Sequence, residues 1–303
     1  MQHFSSYRRT ILDMPAEFSA SFATRFAPSP TGRLHLGHAF SAVVGWRQAR
    51  RAGGRFLLRL EDLDGGRCRE SYVDGILADL TWLGVDWDEP VVRQSDRLDL
   101  YQQGLETLWN RGIVYRCICT RRDIAAAIEA PQEGGMIGPD GPVYPGTCRD
   151  AGHGMETPHA LRLNLAGAID ALGGPSAVSG LGFEETAPPA RRVSLDPQDL
   201  LTGTGDIVLR RRDGAPAYHL AVVIDDADQG VTCVTRGQDL APAAPIQRLL
   251  QSLLALPEVA YHHHRLIRDD EGRRLAKRHD ALSLAALQEA GATPAEILRR
   301  LGL

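Results

Sequence analysis

The residues predict an α/β fold with a doubly wound parallel sheet. Two stretches, residues 24–115 and 202–265, alternate apolar strand-like runs with amphipathic helical ones, and the segment between them breaks the alternation. A third observation is the string Arg25-Phe26-Ala27-Pro28-Ser29-Pro30-Thr31-Gly32-Arg33-Leu34-His35-Leu36-Gly37-His38, which ends in a His-x-Gly-His turn at the start of a helical run, Gly37 to Trp46. Pro28 and Pro30 hold the residues before them extended, so the string is a strand end followed by a turn. Gly37 and His38 then sit at the positively polarised end of a helix, where phosphate binds.

The elements follow in order. Phe56 to Leu60 is a strand, Ser71 to Leu83 a helix and Asp99 to Arg111 a second helix, which together make the first half of a Rossmann-like nucleotide-binding sheet at residues 24–115. Residues 116–201 carry a cysteine cluster and the Gly/Pro-rich linkers Gly173-Gly174-Pro175 and Ala187-Pro188-Pro189-Ala190, and are expected to be an inserted subdomain. Asp206 to Leu209, Ala217 to Asp226 and Val231 to Arg236 return to strand character, and Pro245 to Leu256 is helical, giving the second half at residues 202–265. Residues 1–23 form an N-terminal extension. Residues 266–303 carry a basic loop, Arg274-Leu275-Ala276-Lys277-Arg278, and short helices including Leu282 to Gly291.

Composition excludes several classes. A chain of 303 residues with 43% hydrophobic and 24% charged residues has room for one large core or two medium ones and is not a disordered polymer. No apolar run approaches a membrane span, and the first residues lack the continuous apolar region of a secretory signal, so a cytoplasmic protein without a membrane partner is expected. The net charge of -4 argues against a general nucleic-acid coat protein, while basic clusters at Arg47 to Arg51, Arg210 to Arg212 and Arg273 to Arg278 could meet phosphates locally.

Five cysteines are an odd count, and Cys117, Cys119 and Cys148 bunch in a manner unlike a disulfide framework. Metal binding is the alternative to three reduced cysteines in a packed subdomain. Zinc takes four tetrahedral donors, and a Cys-x-Cys pair works when a second loop brings the rest. Tyr144-Pro145-Gly146-Thr147-Cys148 is that loop, and the residue types nominate His153 or His159 as the fourth donor. Cys68 and Cys233 have no nearby partner and are structural.

The string from Arg25 to His38 resembles the first signature of class I aminoacyl-tRNA synthetases, specifically their glutamate-handling branch. The likeness continues through Phe56 to Asp64, Gly205 to Asp226 and Arg236 to Leu240, leaving out only the tail up to about Ala23 and a stretch near Ala166 to Leu200. It implies ATP and Mg2+ as co-substrate and ion and L-glutamate as amino acid. The implied glutamate-binding residues are Arg25, Phe26, Ala27, Pro28, Ser29, Glu61, Tyr218 and Arg236. Charge supports those roles: Arg25 and Arg236 suit a carboxylate, Glu61 an ammonium group, and Tyr218 a pocket wall with a hydroxyl. For ATP the implied residues are His35, Gly37, His38, Arg274 and Lys277, with His35, His38 and Lys277 acting in catalysis.

The second signature departs from the family's Lys-Met-Ser-Lys-Ser, since only Lys277 keeps a lysine in place and Arg274 keeps charge without the compact ammonium. The chain also resembles the glutamyl-queuosine synthetases of this branch, which implies Zn2+ held by Cys117, Cys119, Tyr144 and Cys148 rather than by a histidine. Only Ala281 to Leu303 follow the basic loop, so no anticodon-binding domain is expected. The expected function is tRNA-independent activation of glutamate and its transfer to the wobble base of queuosine-containing tRNA(Asp), by a monomer. The alternatives are a short glutamyl-tRNA synthetase charging a 3′ end and a silent module that binds RNA or amino acid.

Overall fold

The computed structural model describes residues 21–128, 137–267 and 283–303. The strands are β1 (Ala23–Phe26), β2 (Arg55–Leu60), β3 (Val92–Arg93), β4 (Val114–Cys117), β5 (Ile137–Gly138), β6 (Gly141–Pro142), β7 (Ala160–Leu163), β8 (Gly182–Glu185), β9 (Arg191–Ser194), β10 (Val208–Arg210), β11 (Cys233–Gly237) and β12 (Ala260–His264). The helices are α1 (Leu36–Arg51), α2 (Glu70–Trp82), α3 (Leu98–Asn110), α4 (Arg121–Ile128), α5 (Leu165–Ala171), α6 (Pro175–Ser179), α7 (Pro197–Asp199), α8 (Tyr218–Asp228), α9 (Ala244–Leu253), α10 (Leu284–Glu289) and α11 (Pro294–Arg300).

Parallel pairing joins β1, β2 and β3 on one side and β11, β12 and β8 on the other. The two groups meet where the Thr232 N–H donates to the Ala23 carbonyl at 2.9 Å and the Thr24 hydroxyl donates to that of Thr235 at 3.1 Å. Strand β2 shows why the sheet is doubly covered. Its sequence RFLLRL is buried nearly throughout, with Leu57 in one apolar core and Phe56, Leu58 and Leu60 in the other. The first core gathers α3, α8 and α9, and the second gathers α1, α2, α10 and α11. Helix α1 approaches the sheet closely at Gly45, where a side chain would meet Phe56 at 3.3 Å.

A second, antiparallel sheet of order β10-β7-β4 takes β4 from the end of the first half, β7 from the segment between and β10 from the second half, so the run Asp206 to Leu209, expected in the nucleotide-binding sheet, pairs here instead; β4 ends in Cys117. Strands β8 and β9 do not join it. They extend the parallel sheet beyond β12, with β9 antiparallel at the edge, so part of the segment expected as an insertion belongs to the sheet that carries the cleft.

A further expected element is corrected. Ala217 to Asp226 was predicted as a strand because Leu220 to Ile224 is a short apolar run rich in β-branched residues, but Tyr218–Asp228 is helix α8. Every residue from His219 to Ala227 is buried, so the helix shows no polar face and no period by which to recognise it. Among the described residues no helix is long and apolar enough to cross a membrane.

Candidate active site and cysteine cluster

The carboxyl ends of β1, β2, β11 and β12 open onto one cleft of about 630 Å³. It lies where the strand order reverses between β1 and β11, the place where open α/β sheets bind ligands. Arg25, Phe26, Ala27, Pro28, Ser29, His35, Gly37, His38, Glu61, Tyr218 and Arg236 all line it. So do Ser41, Thr235, Asp239 and His264, which the sequence did not single out. Asp239 and Thr235 flank Arg236 on β11 and the turn after it, so their proximity to a candidate residue was the available signal.

Local geometry orients the two histidines. His35 caps α1, and its Nδ1 accepts the Gly37 N–H at 3.1 Å, while the His38 Nδ1 accepts the His35 N–H at 3.3 Å. The rings stack with centroids 3.8 Å apart. A neutral imidazole that accepts at Nδ1 carries its proton on Nε2, so both rings offer Nε2–H donors beside the helix N-terminus. The Glu61 N–H donates to the Pro28 carbonyl at 3.1 Å, which ties the first signature to the end of β2.

Beneath the cleft lies a buried ionic ledge. The Arg25 Nε–H donates to Asp226 at 2.8 Å, and the Arg59 guanidinium donates to the same carboxylate at 2.8 Å and to the Gln229 side chain at 2.9 Å. Asp225 accepts from Gln94, Arg97 and Tyr101. Burial works against the charge of Asp226, yet the Arg25 and Arg59 guanidinium groups beside it hold its carboxyl below the usual range. Glu61 sits 3.7 Å from Arg59, and there burial prevails over both arginines and pushes its carboxyl upward. Arg25 is thus anchored through Nε while still lining the cleft, and Glu61 is a carboxylate whose charge would be relieved by a cation.

Arg236 is held on two sides. Its Nε–H donates to the His263 Nε2 at 3.2 Å, and its Nη1 donates to the Gln247 side-chain oxygen at 2.8 Å and to the Tyr218 hydroxyl at 3.4 Å. The Gln247 amide nitrogen reaches the His219 Nδ1 at 3.4 Å, and the His219 Nε2 meets the Asp140 carboxylate at 3.1 Å. Asp140 stands in the β5–β6 turn.

The loop after that hairpin builds the cysteine cluster. Tyr144 places its hydroxyl 3.4 Å from both the Cys117 and the Cys119 sulfurs, and the Cys119 and Cys148 sulfurs are 3.4 Å apart. The Cys148 N–H donates to the same hydroxyl at 2.9 Å, and the Arg162 guanidinium covers the Tyr144 ring at 3.9 Å. Donors on a tetrahedral zinc stand roughly 3.5 to 3.8 Å apart, so three sulfurs and a phenol at these separations fit that ion. Burial opposes ionisation of Cys148, but bonds from Tyr144 and the Ile118 backbone bring its thiol down to about 6. Of the two nominated histidines, the His153 side chain contacts the Cys148 thiol, whereas His159 has Nδ1 on the Thr157 carbonyl and Nε2 beside Arg210; among the described His, Cys, Asp and Glu donors only the three cysteines cluster closely.

Of the basic clusters, Arg50 pairs with Asp86 and Asp88, and Arg211 pairs with Asp213. Cys68 and Cys233 are free thiols. Arg274 and Lys277 lie outside the described residues. The residues flanking them reach the site: Ile267 lines the cleft, and Ser283 pairs with His35.

Residues 21–163 and 184–303 match the family model described as tRNA synthetases class I (E and Q), catalytic domain. The unmatched internal stretch, 164–183, is shorter than the expected departure near Ala166 to Leu200. The glutamyl-Q tRNA(Asp) synthetase of Rhodobacter capsulatus is 54% identical over 92% of this chain and 99% of its own length. That of Nocardia farcinica is 45% identical over 91% of this chain and 82% of its own. Among solved structures, the glutamate-tRNA synthetase of Elizabethkingia anophelis superposes with a TM-score of 0.67 at 26% identity, covering 85% of this chain and 53% of that one. The chain therefore spans about half the length of that synthetase. The methionyl-tRNA synthetase of Mycobacterium tuberculosis shares the fold, with a TM-score of 0.59 at 10% identity. With the first signature at the sheet's switch point and this match along most of its length, the chain belongs to the class I tRNA synthetase (E and Q) catalytic-domain family and is a ligase, a relative of the glutamyl-Q tRNA(Asp) synthetases.

Proposed function

We propose that this ligase activates L-glutamate with ATP in the absence of tRNA and transfers it to the queuosine base at the wobble position of tRNA(Asp). The observation that carries this reading is the cleft itself, where an anchored Arg25, a desolvated Glu61, Tyr218 and Arg236 surround a space beside the stacked His35 and His38. The 54% identity to a glutamyl-Q tRNA(Asp) synthetase, against 26% to a glutamate-tRNA synthetase, favours the modified base over a 3′ end as acceptor.

In this reading Glu61 receives the ammonium group, and Arg236 and Arg25 receive carboxylate oxygens with the Arg25 to Ser29 backbone alongside. An oxygen of the glutamate α-carboxylate attacks the α-phosphorus of ATP, the bond to pyrophosphate breaks, and glutamyl-adenylate and pyrophosphate form. Mg2+ supplies neutralisation of the phosphate charge. His35 and His38 donate from Nε2 to phosphate oxygens as charge grows, and Lys277, with Arg274, meets the leaving pyrophosphate. A hydroxyl of the queuosine ring then attacks the activated carbonyl and AMP departs. Cys117, Cys119, Tyr144 and Cys148 would hold zinc as a closed structural site, which would steady the turn that carries Asp140. Of the segment 116–201 expected as an insertion, the part before β8 is proposed as the inserted subdomain, and the protein works as a cytoplasmic monomer.

The test supplies labelled glutamate, Mg-ATP and tRNA from cells with and without queuosine, with or without periodate treatment before charging. Label on queuosine-containing tRNA(Asp), at a site independent of the terminal ribose, is expected. Label on the 3′ end of tRNA(Glu) would make the protein a short glutamyl-tRNA synthetase, and absence of label on any tRNA would refute transfer.

A further inference from the structure

We infer that Glu185 and His263 are positioning residues for glutamate recognition, acting through Arg236. The inference rests on the proposed role of Arg236 and adds how that role is enforced. His263 lies on β12 and is 8% exposed, Arg236 on β11 is 5% exposed, and the Glu185 carboxylate at the end of β8 meets the His263 Nδ1. Glu185 is held in turn by the His263 and Ala187 N–H groups, at 3.2 and 3.0 Å.

The chemistry of this line of contacts has one direction. An ionised carboxylate only accepts, so the imidazole must carry its proton on Nδ1. The opposite nitrogen, Nε2, is then an acceptor, and it takes the Arg236 Nε–H at 3.2 Å. Gln247 takes Nη1 on the other edge. With those two positions bound the guanidinium plane cannot rotate, and Nη2 is left buried without a hydrogen-bond partner among the described residues. A buried cationic donor with nothing to bond is costly, so Nη2 is the donor that an arriving carboxylate oxygen would satisfy.

Parallel pairing of β11, β12 and β8 sets the three residues side by side. Arg236 stands opposite His263 in register, and β8 ends at Glu185 beside Tyr261. The Tyr261 ring lies parallel to that of His263 at 5.5 Å and under the Arg236 guanidinium at 5.0 Å, so both side chains rest on one aromatic floor.

The test measures KM for glutamate and for ATP by ATP-pyrophosphate exchange in full-length variants. His263→Leu is expected to raise the glutamate KM about tenfold with the ATP KM unchanged, since Arg236 loses the acceptor that orients it. His263→Gln, whose amide oxygen can stand where Nε2 stood, is expected to restore most of the affinity. Glu185→Gln can present an amide N–H to Nδ1 and shift the proton to Nε2, so a severalfold rise is expected. The inference is overturned by an unchanged glutamate KM in His263→Leu, or by a His263→Gln variant as impaired as His263→Leu. An equal rise in both KM values also overturns it. If His263→Leu does not fold, Glu185→Gln and His263→Gln decide the matter by the same measure. Arg236→Ala separates the two levels: an unchanged glutamate KM there removes the role of Arg236 itself, while a raised one beside silent Glu185 and His263 variants removes only the positioning.

Discussion

The cleft and the cysteine cluster are built by opposite strategies. The cleft draws its side chains from residues 25 to 267, and ion pairs and hydrogen bonds within the protein anchor its cationic floor: Asp226 pairs with Arg25 and Arg59, and His263 and Gln247 accept from Arg236. The cluster draws on Cys117 to Cys148 alone, with three thiols and a phenol in mutual contact and no carboxylate among them. One site is arranged before its ligand arrives, whereas the other has donors that a cation would complete. Losing a side chain should therefore cost affinity or rate in the first and local structure in the second.

The largest expected effect is at the cluster. Cys119→Ser should lower bound zinc from about one equivalent to a small fraction and drop the thermal midpoint by roughly 10 °C, as chelation of the parent protein should. Metal analysis alongside calorimetry checks this, and full zinc with an unchanged midpoint would erase the contrast. Next comes the cleft, where His38→Ala removes a proposed donor to the phosphates. A fall in the rate of ATP-pyrophosphate exchange of about 100-fold, with the midpoint moved by less than about 2 °C, is expected. A comparable loss of stability would show that His38 holds the fold instead.

The smallest effect sharpens the comparison by probing the bridge between the two regions. Asp140 in the β5–β6 turn contacts His219, and His219 contacts Gln247, which binds Arg236. Asp140→Ala should raise the glutamate KM two- to threefold, the scale of one partly exposed hydrogen bond lost at a distance. An effect as large as that of His263→Leu would place the main support of Arg236 on this side.

Much of this was legible in the residues, for identifiable reasons. The turn at His35 and Gly37 is legible because helix capping is local: the His35 ring and the Gly37 N–H are two residues apart. The cysteine cluster is legible because thiols have few roles outside metals and disulfides. Helix α8 was not legible, since burial on all sides removes the polar face that marks a helix. Nor was the place of β8 and β9, because pairing of Tyr261 with Glu185 joins segments that nothing in their own composition connects.

By itself the sequence determined the alternating α/β pattern, the nucleotide-binding turn and the set of charged residues available to a ligand, since each depends on neighbours along the chain. Only the tertiary structure decided which of those charges are spent and which remain. Asp226 lies 201 residues from Arg25 yet anchors it, and His263 lies 27 residues from Arg236 yet orients it. Such assignments depend on which strands lie side by side, and that choice is made by packing the whole sheet between its two apolar cores.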